Sequence, residues 1–233
     1  MAWALQFDGV NDKATFATWS ASGDFTLSGA FTYVNSTEIV IGDNTKASEF
    51  IACISGGVVR ARVGNANVSL TGFTAGDVIN YTLTRVGLLT NNVTLTIGGS
   101  SSTISENDAF TLNAFGVYNS DSLNYSGQLR GVHTLSRVGD IRTYDMDASS
   151  HSAGTVVITD TTGGGNATGV NMPTDGSAWI DLGGSGISIA VDSGSYSKVG
   201  TTTSINAQLN IITTSGSYLL TGSDVNLTSA KKL

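Results

Sequence analysis

The chain has a single cysteine and a single proline, carries charge on only 12% of its residues, and has three glutamates, Glu38, Glu49 and Glu106. Cys53 alone cannot build a disulfide framework. Its alternating apolar surroundings in "EFIACIS" (49–55) mark a small buried hydrophobe rather than a thiolate nucleophile, which needs an electropositive, partly open site. Eleven Lys and Arg stand against 18 Asp and Glu, for a net charge of -7. No basic patch is on hand to neutralise phosphates, so nucleic acid and anionic membrane surfaces are excluded as partners. No apolar run approaches the roughly 20 residues of a bilayer span, which argues against membrane insertion. The first residues also lack the basic and apolar regions of a signal peptide, so an extracellular location is expected to be reached without ordinary secretion of this chain.

What is present is glycine (29 residues), many Ser, Thr and Asn, and a 40% apolar fraction large enough to order a core. Residues 24–34, 38–42, 49–55, 57–63, 77–85 and 92–99 alternate inward and outward types between Gly, Asn or Asp. Helix signals are nearly absent. Strands at this spacing predict an all-β, two-sheet antiparallel sandwich or jelly roll. "GGGNATGVNMPTDGSAW" (163–179) reads as a long ordered loop, and "AWIDLG" (178–183) as the last strand of the domain.

The texture changes after this point. "ISIAVDSGSYSKVGTTTSIN" (187–206) aligns without gaps on "LNIITTSGSYLLTGSDVNLT" (209–228), an offset of 22 residues. Each unit reads as two short strands around a Ser-Gly turn and a tyrosine. Two hairpins are too few to enclose a core, because repeat arrays need about three or more units. The expected organisation is therefore a sandwich over 1–183, a Gly/Ser linker at 184–186, and a β-repeat segment over 187–233 that docks elsewhere. Ile187, Ile189, Tyr196, Leu209, Ile211 and Tyr218 are its candidate assembly residues, with a homo-oligomer, a trimer in particular, as the expected arrangement.

"ALQFDGVNDKATF" followed by "DFTLSGAFTYV", with the later "NYSGQLRGVHTL" and the stretch from Asp145 to Trp179, resembles laminin-G-like domains of the concanavalin-A-like jelly-roll superfamily. The superfamily resemblance covers about residues 4–183. With "DGSAWIDLGG" and the SGSY repeat included, the whole chain is similar to laminin-G-like virion proteins of tailed bacteriophages. The resemblance implies a module on the surface of a phage particle, with other virion proteins as partners.

Some members of that superfamily hold Ca²⁺ at the rim of the sandwich through acidic side chains and carbonyls, as a hard cation requires. The candidates here are Asp8, Asn11 and Asp12 with Asp43 and Asn44. The competing reading is turn chemistry, in which Asx side chains bond their own backbone and Gly9 supplies a positive φ. No other cofactor is expected. Glycosidases on this fold need paired carboxylates at a fixed separation, and no E-x-D-x-E cluster occurs. Asp145 and Asp147 of "YDMD" read as solvated acids at a strand end. His133 in "GVHTL" reads as a packed or edge histidine and His151, among serines, as exposed. No catalytic residue is assigned.

Non-catalytic glycan contact remains, with Tyr118, Asn119, Asp121 and Tyr125 in a polar, aromatic loop as the candidate contacts and a host surface glycan as the ligand. The expected function is a non-enzymatic virion surface protein, either a tail- or fibre-associated adhesion module or a capsid decoration protein. The alternatives are a bacterial lectin or adhesin and a degenerate glycosidase.

Overall fold

The computed structural model describes residues 2–45, 49–87, 91–117 and 123–182. The chain divides into two units at Gly184/Ser185, and every described residue belongs to the first. The six candidate assembly positions of the repeat lie outside the described residues.

Sixteen strands form among the described residues: β1 Trp3–Gln6, β2 Lys13–Ala21, β3 Phe25–Thr32, β4 Glu38–Gly42, β5 Phe50–Ile54, β6 Val58–Val63, β7 Ala66–Thr71, β8 Val78–Val86, β9 Asn92–Ile97, β10 Ser100–Ser105, β11 Phe110–Phe115, β12 Gln128–Arg137, β13 Asp140–Asp145, β14 Val157–Asp160, β15 Ala167–Val170 and β16 Trp179–Asp181. All pairings are antiparallel. One sheet runs β10-β9-β8-β3-β12-β13, with β1 pairing the first residues of β12 and β16 pairing β1. The other runs β15-β2-β11-β4-β5-β6-β7. β14 belongs to both: it pairs β13 through Tyr144↔Asp160 and β15 through Ile158↔Ala167, turning one edge of the sandwich into a continuous corner. Across the open side, β7 packs against β9 and β10. The fold is an all-β antiparallel jelly-roll sandwich. β15 is a departure from the sequence expectation, since it places a short strand inside the 163–179 stretch.

The period-2 pattern becomes the core. Leu27, Phe31, Tyr81, Leu83 and Leu95 project from one sheet onto Trp19, Ile41, Ile51, Cys53, Val59 and Phe115 of the other, all buried. Burial pushes the Cys53 thiol up to about 12, which leaves it unreactive at neutral pH.

The register of β12 on β3 jumps between Arg130↔Ala30 and Thr134↔Ser28, so three residues of β12 face only Gly29. Gly131 takes a positive φ of 60° in this bulge. His133 is thereby turned fully into the core, where its Nε2 lies 2.9 Å from the Ala30 carbonyl and so carries the proton. A Cβ on Gly29 would stand 2.2 Å from His133 Nδ1, so this strand position must stay bare. The ring packs edge-on against Phe115, and the hydroxyl of Tyr81 is 3.5 Å from Nδ1.

Burial pulls the His133 pKa down to about 4, only partly opposed by the Ala30 carbonyl. An unfolded histidine titrates near pH 6.5. Below that pH the unfolded chain binds a proton that the folded chain refuses, so this contribution to stability is complete above about pH 6.5 and is lost as pH falls toward 4. Thermal melts between pH 7 and 4 should show a falling Tm in the natural chain and a visibly flatter profile in His133→Met. Equal slopes in the two would refute this role for His133.

Candidate functional site: the loop rim

Five connections gather at one end of the sandwich. The β1–β2 turn meets the segment before β12 through Gly9 N–H to Tyr125 O, at 3.1 Å. That segment meets the start of β4 through the Ser126 N–H and hydroxyl, both donated to Glu38 Oε2, at 2.6 and 2.7 Å. The β3–β4 connection meets the β5–β6 turn through Gly56 N–H to Asn35 Oδ1, at 2.9 Å, and the β7–β8 connection through Tyr33 N–H to Asp77 O, at 2.8 Å.

The Asp8–Asp12 stretch is a reciprocal Asx turn. Asp8 Oδ1 accepts from the N–H groups of Val10, Asn11 and Asp12 at 2.8, 3.2 and 3.4 Å, and Asp12 Oδ2 accepts from the Asp8 N–H at 3.1 Å. Partial burial works against the Asp8 carboxylate, but the N–H donors outweigh it and hold its pKa below the usual range. Asp12 is buried, with Oδ1 lacking a hydrogen-bond partner. Desolvation first, and the neighbouring Asp8 charge second, raise its pKa.

Asp43 and Asn44 do not join this group. In the register Ala14↔Phe115↔Ile41, Asp12 lies two residues before Ala14 and Asp43 two after Ile41 on a strand running the same way. That places them about 13 Å apart along the strands and about 10 Å across them. Asp43 Oδ1 instead accepts from Thr45 N–H at 2.8 Å, Thr45 Oγ1 at 2.6 Å and Asn113 Nδ2 at 3.0 Å, while the Asn44 N–H donates to Asn113 Oδ1 at 2.8 Å. The five candidate ligands are therefore two separate turns at opposite ends of the sandwich. Among the described residues no three His, Cys, Asp or Glu side chains converge. Of the set, Asp12 Oδ1 is the buried carboxylate oxygen without a hydrogen-bond partner.

The glycan candidates also need correction. Tyr125 is fully buried, its ring between Phe7 and Phe31, and its hydroxyl lies 2.5 Å from Thr32 O and 3.2 Å from Gln128 O. A ring held there presents no face to a sugar. Tyr118, Asn119 and Asp121 lie outside the described residues. His151 is half-buried rather than exposed, stacked at 4.0 Å and 8° on Trp3 and edge-on to Trp179.

Among the described residues a concavity of the rim lies elsewhere. An open depression of about 450 Å³ is lined by Asn35, Gly56, Gly57 and the run Gly72–Ala75. Its volume falls in the range of small-ligand sites, roughly 300–1,000 Å³. Phe73, half-buried, forms one wall and leans on the buried Tyr33 ring, 6.1 Å away at 43°. Tyr33 sets the floor: its hydroxyl donates to Ile54 O at 2.6 Å and accepts from the N–H groups of Gly57 and Val58 at 2.9 and 3.1 Å. Gly57 O then receives the N–H groups of Gly72 and Phe73. Gly56 and Gly72, at φ of 86° and 102°, would place a Cβ within 4 Å of nothing, so bare backbone faces the opening. The sequence signal for this site was an aromatic in a glycine-bounded turn, "GFTAGD" (72–77), beside a second glycine turn, "SGG" (55–57).

No protein-family model matches the chain, and no curated protein does. Among solved structures it is similar to domains LG4-5 of the mouse laminin alpha1 chain, at 15% identity and a TM-score of 0.48, over 63% of this chain and 44% of that one. It is also similar to a family 7 alginate lyase, at 13% identity and a TM-score of 0.35, over 52% of this chain and 65% of that one. The chain thus spans less than half the length of the laminin chain, and neither likeness assigns an activity.

Turn chemistry and metal ligation at Asp8–Asp12 predict opposite signs. If the turn is complete in itself, the charged Asp12 costs stability above its raised pKa, and Asp12→Asn raises Tm at pH 7, with the gain closing as pH drops through the carboxylate range. If the turn holds calcium, millimolar Ca²⁺ raises the Tm of the natural chain, EDTA reverses this, and Asp12→Asn abolishes the response.

Proposed function

We propose that this is a non-enzymatic surface protein of a tailed-phage virion that contacts a glycan through the depression at its loop rim. The observation that carries the glycan reading is the pairing of an accessible aromatic wall, Phe73, with the exposed Asn35 and a bare glycine floor. This is the chemistry that holds a sugar ring by one apolar face and its hydroxyls. It favours the adhesion role, in a tail or fibre, over capsid decoration. The virion location is supported by the sequence resemblance and by the repeat over 187–228.

The non-enzymatic reading is supported by how the acids and histidines are occupied. Glu38 accepts from the Ser36 hydroxyl and from Ser126. Asp145 Oδ1 accepts from the N–H groups of Asp147 and Ala148, and Asp147 Oδ1 from that of Trp3. His133 is sealed in the core. Each group serves the fold, and none is paired with a second carboxylate across the depression.

Binding of the full chain to an array of bacterial surface glycans tests the reading. One class should be retained, and Phe73→Ala should weaken it about tenfold or more while leaving Tm within a few degrees. A full chain that binds no glycan, or binds one equally well without the Phe73 ring, would sink this function. The repeat segment is assigned to assembly on sibling chains, as a trimer, or on another virion protein. A chain ending at Gly184 should then stay folded yet show fewer chains per particle by light scattering than the full chain, whereas an unchanged number of chains would remove that role.

A further inference from the structure

We infer that the depression takes a neutral pyranoside and rejects carboxylated or sulfated sugars, an inference that rests on the glycan reading above. Among the described residues no ionisable side chain lines the opening: its side chains are those of Asn35, Phe73, Thr74 and Ala75, and the rest is glycine backbone. Two carboxylates lie near it. Asp77 Oδ2 accepts the Thr74 N–H at 2.8 Å, and Glu38 holds the hydroxyl of Ser36, next to Asn35. No lysine or arginine among the described residues lines the site, and the chain as a whole carries -7. A sugar carboxylate or sulfate seated here would lose water, find no counter-charge, and face two carboxylates.

The groups left for a ligand suit hydroxyls. Asn35 Oδ1 accepts from the Gly56 N–H at 2.9 Å, so the two Nδ2 donors are what this exposed residue has left to offer a ligand. The Thr74 hydroxyl, on an exposed residue, can donate and accept. A single aromatic wall accommodates one ring at a time, and the open shape lets a chain continue on either side. The ligand class is therefore an uncharged hexopyranose unit within a longer surface polysaccharide. Discrimination arises from the missing cation rather than from a shape that excludes acid groups.

The test compares the full chain, Phe73→Ala and Thr74→Lys on two immobilised sets: neutral gluco-, galacto- and manno-oligosaccharides, and oligogalacturonate with a sulfated galactan. The expected result is binding to a neutral set member, lost in Phe73→Ala, with acidic probes at least tenfold weaker. Thr74→Lys should raise acidic binding at low salt. If the full chain instead prefers an acidic probe and Phe73→Ala abolishes that binding, the site stands and the neutral preference is wrong. If no probe of either set depends on Phe73, the glycan reading falls and the preference with it.

Discussion

A sandwich whose strands turn inward at their ends leaves backbone carbonyls and N–H groups away from water, and each must find a partner. Four long side chains with polar tips meet that requirement here. Arg85, 2% exposed, donates to the carbonyls of Ala21, Gly23 and Asp108 while lying 5.0 Å over the Phe25 ring. Arg142 reaches the carbonyls of Ala17 and Thr18, anchored by Asp140. Tyr125 reaches Thr32 and Gln128, and Tyr33 ties Ile54, Gly57 and Val58 together. With one cysteine and only 11 Lys and Arg in the sequence to draw on, these tips link neighbouring loops through the interior. Each couples the hydrophobic area of its stem to a set of otherwise unmet backbone groups.

The rim follows from the same constraint. Because the Tyr33 hydroxyl organises the β5–β6 turn and its ring supports Phe73, the position of the aromatic wall is set from within the core. A wall fixed in this way presents its face without first having to be ordered, which lowers the entropic cost of seating a ring. Among the described residues those lining the depression carry no charge, while Asp77 and Glu38 cap the loops around it.

Strands whose inward residues are apolar were legible in the sequence. The alternation over 38–42 matches β4, and that over 57–63 and 92–99 matches β6 and β9 to within two residues. Alternation has little purchase on β10, "SSSTIS", whose one apolar residue, Ile104, packs only partly buried against the core and which is tied to β9 by hydroxyl pairs, Thr94 to Thr103 and Thr96 to Ser101. The same holds for β15, whose four residues gain their pairing from β2 and β14 rather than from any pattern of their own. Tyr125 misleads because its neighbours are polar. Burial there is decided by Gly127, where a Cβ would sit 2.4 Å from the Tyr125 hydroxyl, and by the distant Phe7 and Phe31. Asp12 and Asp43 look alike in sequence, and only the strand register separates them.

The pairing of β1 with β16 has a mechanical consequence. Trp3 lies opposite Asp181, and the Leu182 N–H donates to Ala2 O, so the two ends of the described sandwich leave it side by side. Tension between those ends peels the three β1–β16 pairs in sequence instead of shearing them together. The load reaches the β1–β12 ladder, and through it the interior, only after the outer ladder has opened. The sandwich is thus soft to a pull across its own ends at first and stiffer once β12 is engaged, so a small extension can be absorbed before the rim is disturbed.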